Sequence, residues 1–125
     1  MNPMFLVLGA PAVGKSTTSR ALAAHFPKSI HIPVDSIRDM VVSGLALPGT
    51  EKNDTLVEQV ALARKSVCQM AFNYHEAGFV VVIDDFFHAD HMLDYEPLLN
   101  HPSTNKILLY PGQMIAHERN LIRPV

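Results

Sequence analysis

Eight residues constrain this chain more than any others: Gly9-Ala10-Pro11-Ala12-Val13-Gly14-Lys15-Ser16. They fit Gly-x-x-x-x-Gly-Lys-Ser/Thr, and their flanks give the pattern a structural context. Met4-Phe5-Leu6-Val7-Leu8 before them is an unbroken apolar run of strand length. Thr17 to His25 after them has helical spacing, with Ala21, Leu22 and Phe26 toward one side. A strand, a glycine-bounded loop and a helix in that order make an anion cradle. Gly9 and Gly14 let the backbone curl so that successive N–H groups converge, and the helix N-terminus adds its partial positive charge. Lys15 can then reach the β- and γ-phosphates of a nucleoside triphosphate, and the Ser16 hydroxyl can ligate Mg²⁺. The expected nucleotide-binding residues are therefore Gly9, Pro11, Ala12, Val13, Gly14, Lys15, Ser16 and Thr17.

Bulk properties bound the rest. At 125 residues and 48% hydrophobic, residues 1–125 read as one domain with enough apolar material for a core. A net charge of −2 argues against a broad nucleic-acid footprint, although a local basic groove is compatible with it. The single cysteine, Cys68, excludes an internal disulfide framework and a cysteine-based zinc site. Without a signal-like segment or an 18-residue apolar run, a cytoplasmic location is expected.

Along the chain, Ile30 to Val34 reads as a second strand, and Pro33 within it suits a sheet edge. A helix then starts at Asp35-Ser36, either of which is a good N-cap. Residues 45–54 form a turn-rich loop around Pro48-Gly49. A long helix is predicted from Thr55 to Ala77, with Leu56, Val60, Ala63, Val67, Met70, Ala71 and Tyr74 on one face and Gly78 ending it in the left-handed conformation. Arg64 on that helix reads as a solvated residue, with contact to a substrate as the other reading, and Met40, Met70 and Met92 read as core fillers. Phe79 to Asp85 is apolar without alternation until its end, the mark of a strand buried on both faces. A short helix over 89–99, a strand over 106–110 and a helix over 113–122 complete the pattern.

Strands alternating with helices imply an α/β, three-layer fold around a central parallel sheet. In such sheets ligands bind beyond the carboxyl ends of the strands, where the glycine loop, Asp35, Asp84 and Asp85 all fall. Asp84, which ends its strand directly, is the better Mg²⁺ candidate beside Ser16, and Asp85 reads as an acceptor-side or supporting carboxylate, but the sequence alone does not separate the two roles. Moving a γ-phosphate to a hydroxyl needs a carboxylate to activate that hydroxyl, and Asp35 is placed to supply it. Arg38, one helical turn later, shares its side and could hold an anionic group of the acceptor. The histidines His88 and His91 among Asp84, Asp85, Asp90 and Asp94 match no zinc spacing.

The glycine loop, Val34-Asp35-Ser36-Ile37-Arg38, the strand from Val80 to Asp85 and His117-Glu118-Arg119-Asn120-Leu121-Ile122-Arg123 together resemble the small P-loop kinases. The pattern is similar to the polynucleotide 5′-kinase domain and to zeta-toxin-like and chloramphenicol-phosphotransferase-like kinases. That resemblance implies an adenylate-kinase-like sheet, ATP and Mg²⁺ as cofactors, and an Asp-x-x-Arg at Asp35 and Arg38 that activates and contacts the acceptor. It also implies a lid in which Arg119 and Arg123 stabilise the transferred phosphoryl group. Lys15, Asp35, Arg38, Arg119 and Arg123 are thus the expected catalytic set. Such kinases continue past the lid into a last strand and a base-contacting loop, so the resemblance implies a missing C-terminal part and an exposed sheet edge. The implied activity is ATP-dependent phosphoryl transfer to a hydroxyl of a small molecule or a nucleic-acid 5′ end. The alternative is a nucleotide-binding regulatory ATPase or switch without an acceptor.

Overall fold

The computed structural model describes residues 2–10, 14–47, 54–86 and 91–109. Four parallel strands make one sheet in the order β2-β3-β1-β4: β1 is Met4–Gly9, β2 Ser29–Pro33, β3 Val80–Phe86 and β4 Thr104–Leu109. Between them run α1 (Lys15–Ala23), α2 (Val34–Arg38), α3 (Asp54–Glu76), α4 (His91–Asp94) and α5 (Glu96–Leu99). The expected α/β class with a central parallel sheet is what the chain adopts. Pro33, which has no N–H to give a ladder, ends a strand whose one neighbour among the described residues is β3.

The two faces of the sheet carry separate cores, which makes the fold three layers deep. Met4, Leu6 and Leu8 of β1, Ile32 of β2 and Val81 and Ile83 of β3 pack with Ala63, Val67, Cys68 and Ala71 of α3 and with Tyr95 and Leu98. The alternate residues Val7, Val80, Val82 and Leu109 turn the other way, against Ala23, Leu22 and Phe26 of the α1 segment. Strand side chains alternate by two, so a strand covered on both faces must be apolar at consecutive positions. β3 meets that requirement, being buried from Val80 through Asp85.

Several expectations shift locally. Ala21 is exposed, and Ser19 and Ala23 are the residues α1 buries. The residue before α2 is Pro33, with no side-chain cap, so Asp35 and Ser36 lie within the first turn of that helix and do not cap it. Met40 is 70% exposed and fills no core, whereas Met70 packs against it. The 89–99 helix is two short helices, α4 and α5, with Tyr95 between them. α3 ends as expected: Gly78 has φ 93°, its N–H donates to His75 O at 3.0 Å and the Phe79 N–H donates to Tyr74 O at 3.0 Å. These two bonds satisfy carbonyls the helix end would otherwise strand.

Candidate active site

The site begins where β1 ends. Gly9 is buried at the last position of β1, and α1 opens at Lys15 directly after Gly14. Gly14 sits at φ 83°, ψ 26°, a left-handed conformation that a Cβ would strain. Its carbonyl accepts the Thr18 N–H at 2.9 Å, the first bond of a nine-residue helix with no acidic residue in its first turn. The N–H groups at this end stay oriented outward along the axis, the arrangement that favours an anion. Lys15 is half-buried there, and Ser16 and Thr17 are exposed. Pro11, Ala12 and Val13 lie outside the described residues.

Asp84 and Asp85 are adjacent in β3, so strand alternation sends them to opposite faces. Asp84 points to the α1 face, where the Ser16 hydroxyl lies 3.3 Å from each of its carboxylate oxygens. His31 Nε2, from β2 on the same face, contacts Oδ2 of the same group. The Asp84 carboxylate is nearly sealed from solvent, at 3% exposure of its side chain. A hydroxyl and a carboxylate meeting at the N-terminal end of α1 are hard oxygen donors of the kind Mg²⁺ takes, so the residues present fit that ion. Among the described residues no three His, Cys, Asp or Glu side chains gather into a metal-binding group, here or elsewhere.

Asp85 has a different task. Its Oδ2 accepts from Arg64 Nε at 2.7 Å and from the Tyr95 hydroxyl at 2.8 Å, and its Oδ1 accepts from the Phe86 N–H at 2.8 Å. Arg64 NH1 donates to Asp94 Oδ2 at 2.8 Å, and the guanidinium lies 5.4 Å from the Phe86 and Tyr95 ring centres. The expectation of a solvated Arg64 is overturned: its side chain is 1% exposed and sits between the sheet and α4. Burial by itself would lower its pKa, but the Asp85 charge and the hydrogen bonds to Asp94 and Asp85 outweigh that and raise it. Burial first, and then the Asp85 charge, push the Tyr95 phenol far above its usual range, so it stays a neutral donor. The cluster ties α3, β3 and α4 together directly behind Asp84.

Asp35 stands in the first turn of α2 with its side chain 56% exposed, and Arg38 NH1 comes within 4.0 Å of it one turn on. The Arg38 guanidinium is not wholly free for an acceptor, because NH2 donates to Ala46 O at 3.2 Å. Its Nε is buried without a hydrogen-bond partner among the described residues. Gln59 of α3 pins the same segment, accepting from the Ala46 N–H and donating to Gly44 O, each at 2.8 Å. Between α2 and α3 lies a cleft lined by Ile37, Arg38, Val41, Gln59, Leu62, Ala63 and Ser66. Arg38 therefore lines a half-apolar opening, and Asp35 precedes it by one helical turn just past the carboxyl end of β2.

The structure thus brings Ser16 to Asp84 and Arg38 to Asp35. Arg119 and Arg123 lie outside the described residues, as does His88. Sequence reasoning missed His31, although its signal was present: between Ile30 and Ile32, which face α3, alternation turns it to the face of Asp84.

Neither protein-family models nor curated proteins give a match to the chain. Solved structures do. The fold is similar to a chain of the Pnkp1/Rnl/Hen1 complex, with a TM-score of 0.55 and 15% identity over 93% of this chain and 38% of that one. It is also similar to an unliganded sugar kinase from Janibacter sp. HTCC2649, with a TM-score of 0.52 and 14% identity over 100% of this chain and 96% of that one. The chain thus spans about two fifths of the first of these, 38% of its length. At such identities the likeness concerns architecture: the chain has the parallel α/β fold of these kinase structures.

Proposed function

We propose that the chain is a P-loop phosphotransferase that moves the γ-phosphate of ATP to an alcohol. The observation that carries this reading is the contact between Ser16, the first-turn hydroxyl of α1, and the buried Asp84 of the adjacent strand. It supports a hard-cation site at the mouth of the glycine loop. Lys15 and the N–H groups of α1 hold the triphosphate, and Ser16 and Asp84 hold Mg²⁺. Bound there, Mg²⁺ neutralises charge on the β- and γ-phosphates. Asp35, exposed at the carboxyl edge, accepts the proton of the incoming hydroxyl, and Arg38 orients the acceptor beside it. Arg119 and Arg123 complete the reading as cations on the transferred group. A nucleic-acid 5′ end and a sugar hydroxyl are both acceptors worth testing, consistent with the Pnkp1 complex and the sugar kinase.

The test is ADP release with Mg-ATP across a panel of 5′-hydroxyl oligonucleotides, nucleosides, sugars, nucleotide sugars and phenicol-type alcohols. Acceptor-dependent turnover that Asp35→Asn abolishes while nucleotide affinity holds is the expected result. Lys15→Ala should lower affinity and turnover together. Acceptor-independent hydrolysis indifferent to Asp35→Asn would instead favour a nucleotide-driven switch.

A further inference from the structure

Ser16 leaves a question about Asp84 that His31 answers. The Ser16 oxygen is 3.3 Å from Oδ1 and 3.3 Å from Oδ2, so it does not distinguish the two carboxylate oxygens. The terminal torsion of an aspartate is broad and nearly two-fold, which leaves a carboxylate held only this way free to present either oxygen, or both. His31 breaks that symmetry. It rises from β2 opposite Val82 of β3, its side chain is 11% exposed, and its Nε2 engages Oδ2 alone. Facing an ionised carboxylate, which only accepts, the ring nitrogen can act only as the donor. Oδ1 is left as the oxygen that can turn toward the cradle.

We propose that His31 is a positioning residue that makes Asp84 a one-oxygen partner and thereby sets the cation preference of the site. This rests on the reading of Ser16 and Asp84 as the cation site. Mg²⁺ demands near-ideal octahedral geometry with single oxygens, whereas Ca²⁺ accepts carboxylates that bind through both oxygens. A carboxylate clamped through Oδ2 serves the smaller ion; a carboxylate released to rotate serves the larger. Outer partners of this kind typically change metal affinity 10–100-fold when removed.

The experiment is Mn²⁺ binding to the full chain with ADP, followed by electron paramagnetic resonance, and displacement of that Mn²⁺ by Mg²⁺ or Ca²⁺. His31→Leu, which keeps bulk but loses the donor, should weaken Mg²⁺ by roughly 10–100-fold and Ca²⁺ much less, reversing part of the preference. His31→Gln, whose amide nitrogen reaches about as far as Nε2, should restore most of the Mg²⁺ affinity. An unchanged Mg²⁺-to-Ca²⁺ ratio in His31→Leu, with Asp84→Asn still abolishing binding, overturns the inference and leaves the cation site standing. So does a folded His31→Gln that behaves like no donor at all. If Ser16→Ala and Asp84→Asn bind Mn²⁺ as the parent does, the cation site itself is wrong and the role of His31 falls with it.

Discussion

Replacing Arg64 with methionine is the sharpest test of how the site is held. Arg64→Met keeps a long apolar stem over the Phe86 and Tyr95 rings but removes the charge that faces Asp85. The Asp85 side chain is wholly buried and that of Arg64 nearly so, so neither water nor rotation can compensate the carboxylate in place. What remains on Asp85 is the Tyr95 hydroxyl and the Phe86 N–H. Breaking a buried pair by removing one partner costs about 3–5 kcal/mol. Against a total of roughly 6–19 kcal/mol for a chain of this size, that is a large share. With a urea slope of about 2 kcal/mol/M, the unfolding midpoint should fall by roughly 1.5–2.5 M. Neutralising the stranded acid should recover part of the loss, so the double variant Arg64→Met/Asp85→Asn should lie well above the sum of the singles, with a coupling of about 1–3 kcal/mol. A loss below about 1 kcal/mol, the worth of an exposed pair, or strict additivity of the two substitutions would refute this account of the cluster.

Two further perturbations probe other links. Gly14→Ala forces a side chain into the left-handed region at about 1–2 kcal/mol, and because that strain falls at the cradle, triphosphate affinity measured by calorimetry should drop more than global stability does. Cys68 is pushed up to about 11 from its ordinary 9.0 by burial first and then by the Asp94 charge. The native thiol should therefore react with an aromatic disulfide reagent only as fast as the protein opens. For a thiol whose folded pKa is raised, the unfolded chain binds fewer protons between about pH 9 and 11, so stability falls as pH rises through that window. Cys68→Ala should remove that part of the decline, seen as unfolding midpoints of the two proteins that converge as the pH climbs.

The sequence carried the architecture because its strongest signals are local and independent. The apolar run at Met4 to Leu8, the non-alternating run before Asp84 and the Gly78 stop each follow from one element's own chemistry, and each is found where expected. Pro33 marked an edge for the same reason. What stayed hidden depends on which faces meet. Arg64 lies within an apolar stripe, beside Ala63 and Val67, and only the docking of α3 against β3 shows that it meets a carboxylate there. The tandem Asp84-Asp85 looked ambiguous for the same reason, since alternation separates the two only once the helix covering each face is known. Met40, apolar yet mostly exposed, lies just past the short helix that ends at Arg38 and is not carried inward with it.

That tandem has a consequence for how the chain finds its pairing. The run Val80-Val81-Val82-Ile83 is apolar on both faces, so a slip of one residue would still bury hydrocarbon on each side and would go nearly unpunished by packing. The two carboxylates remove that freedom. Shifted one way, Ile83 would stand beside Ser16; shifted the other, Phe86 would take the place of Asp85 and strip Arg64 of its fully buried carboxylate partner, leaving it Asp94. Only the native alignment, Asp84 opposite Val7 and Asp85 opposite Leu8, neutralises both faces at once. Two adjacent acids thus act as alignment pins for the central strand, and the residue that would hold the cation is in place only when the sheet has assembled in register.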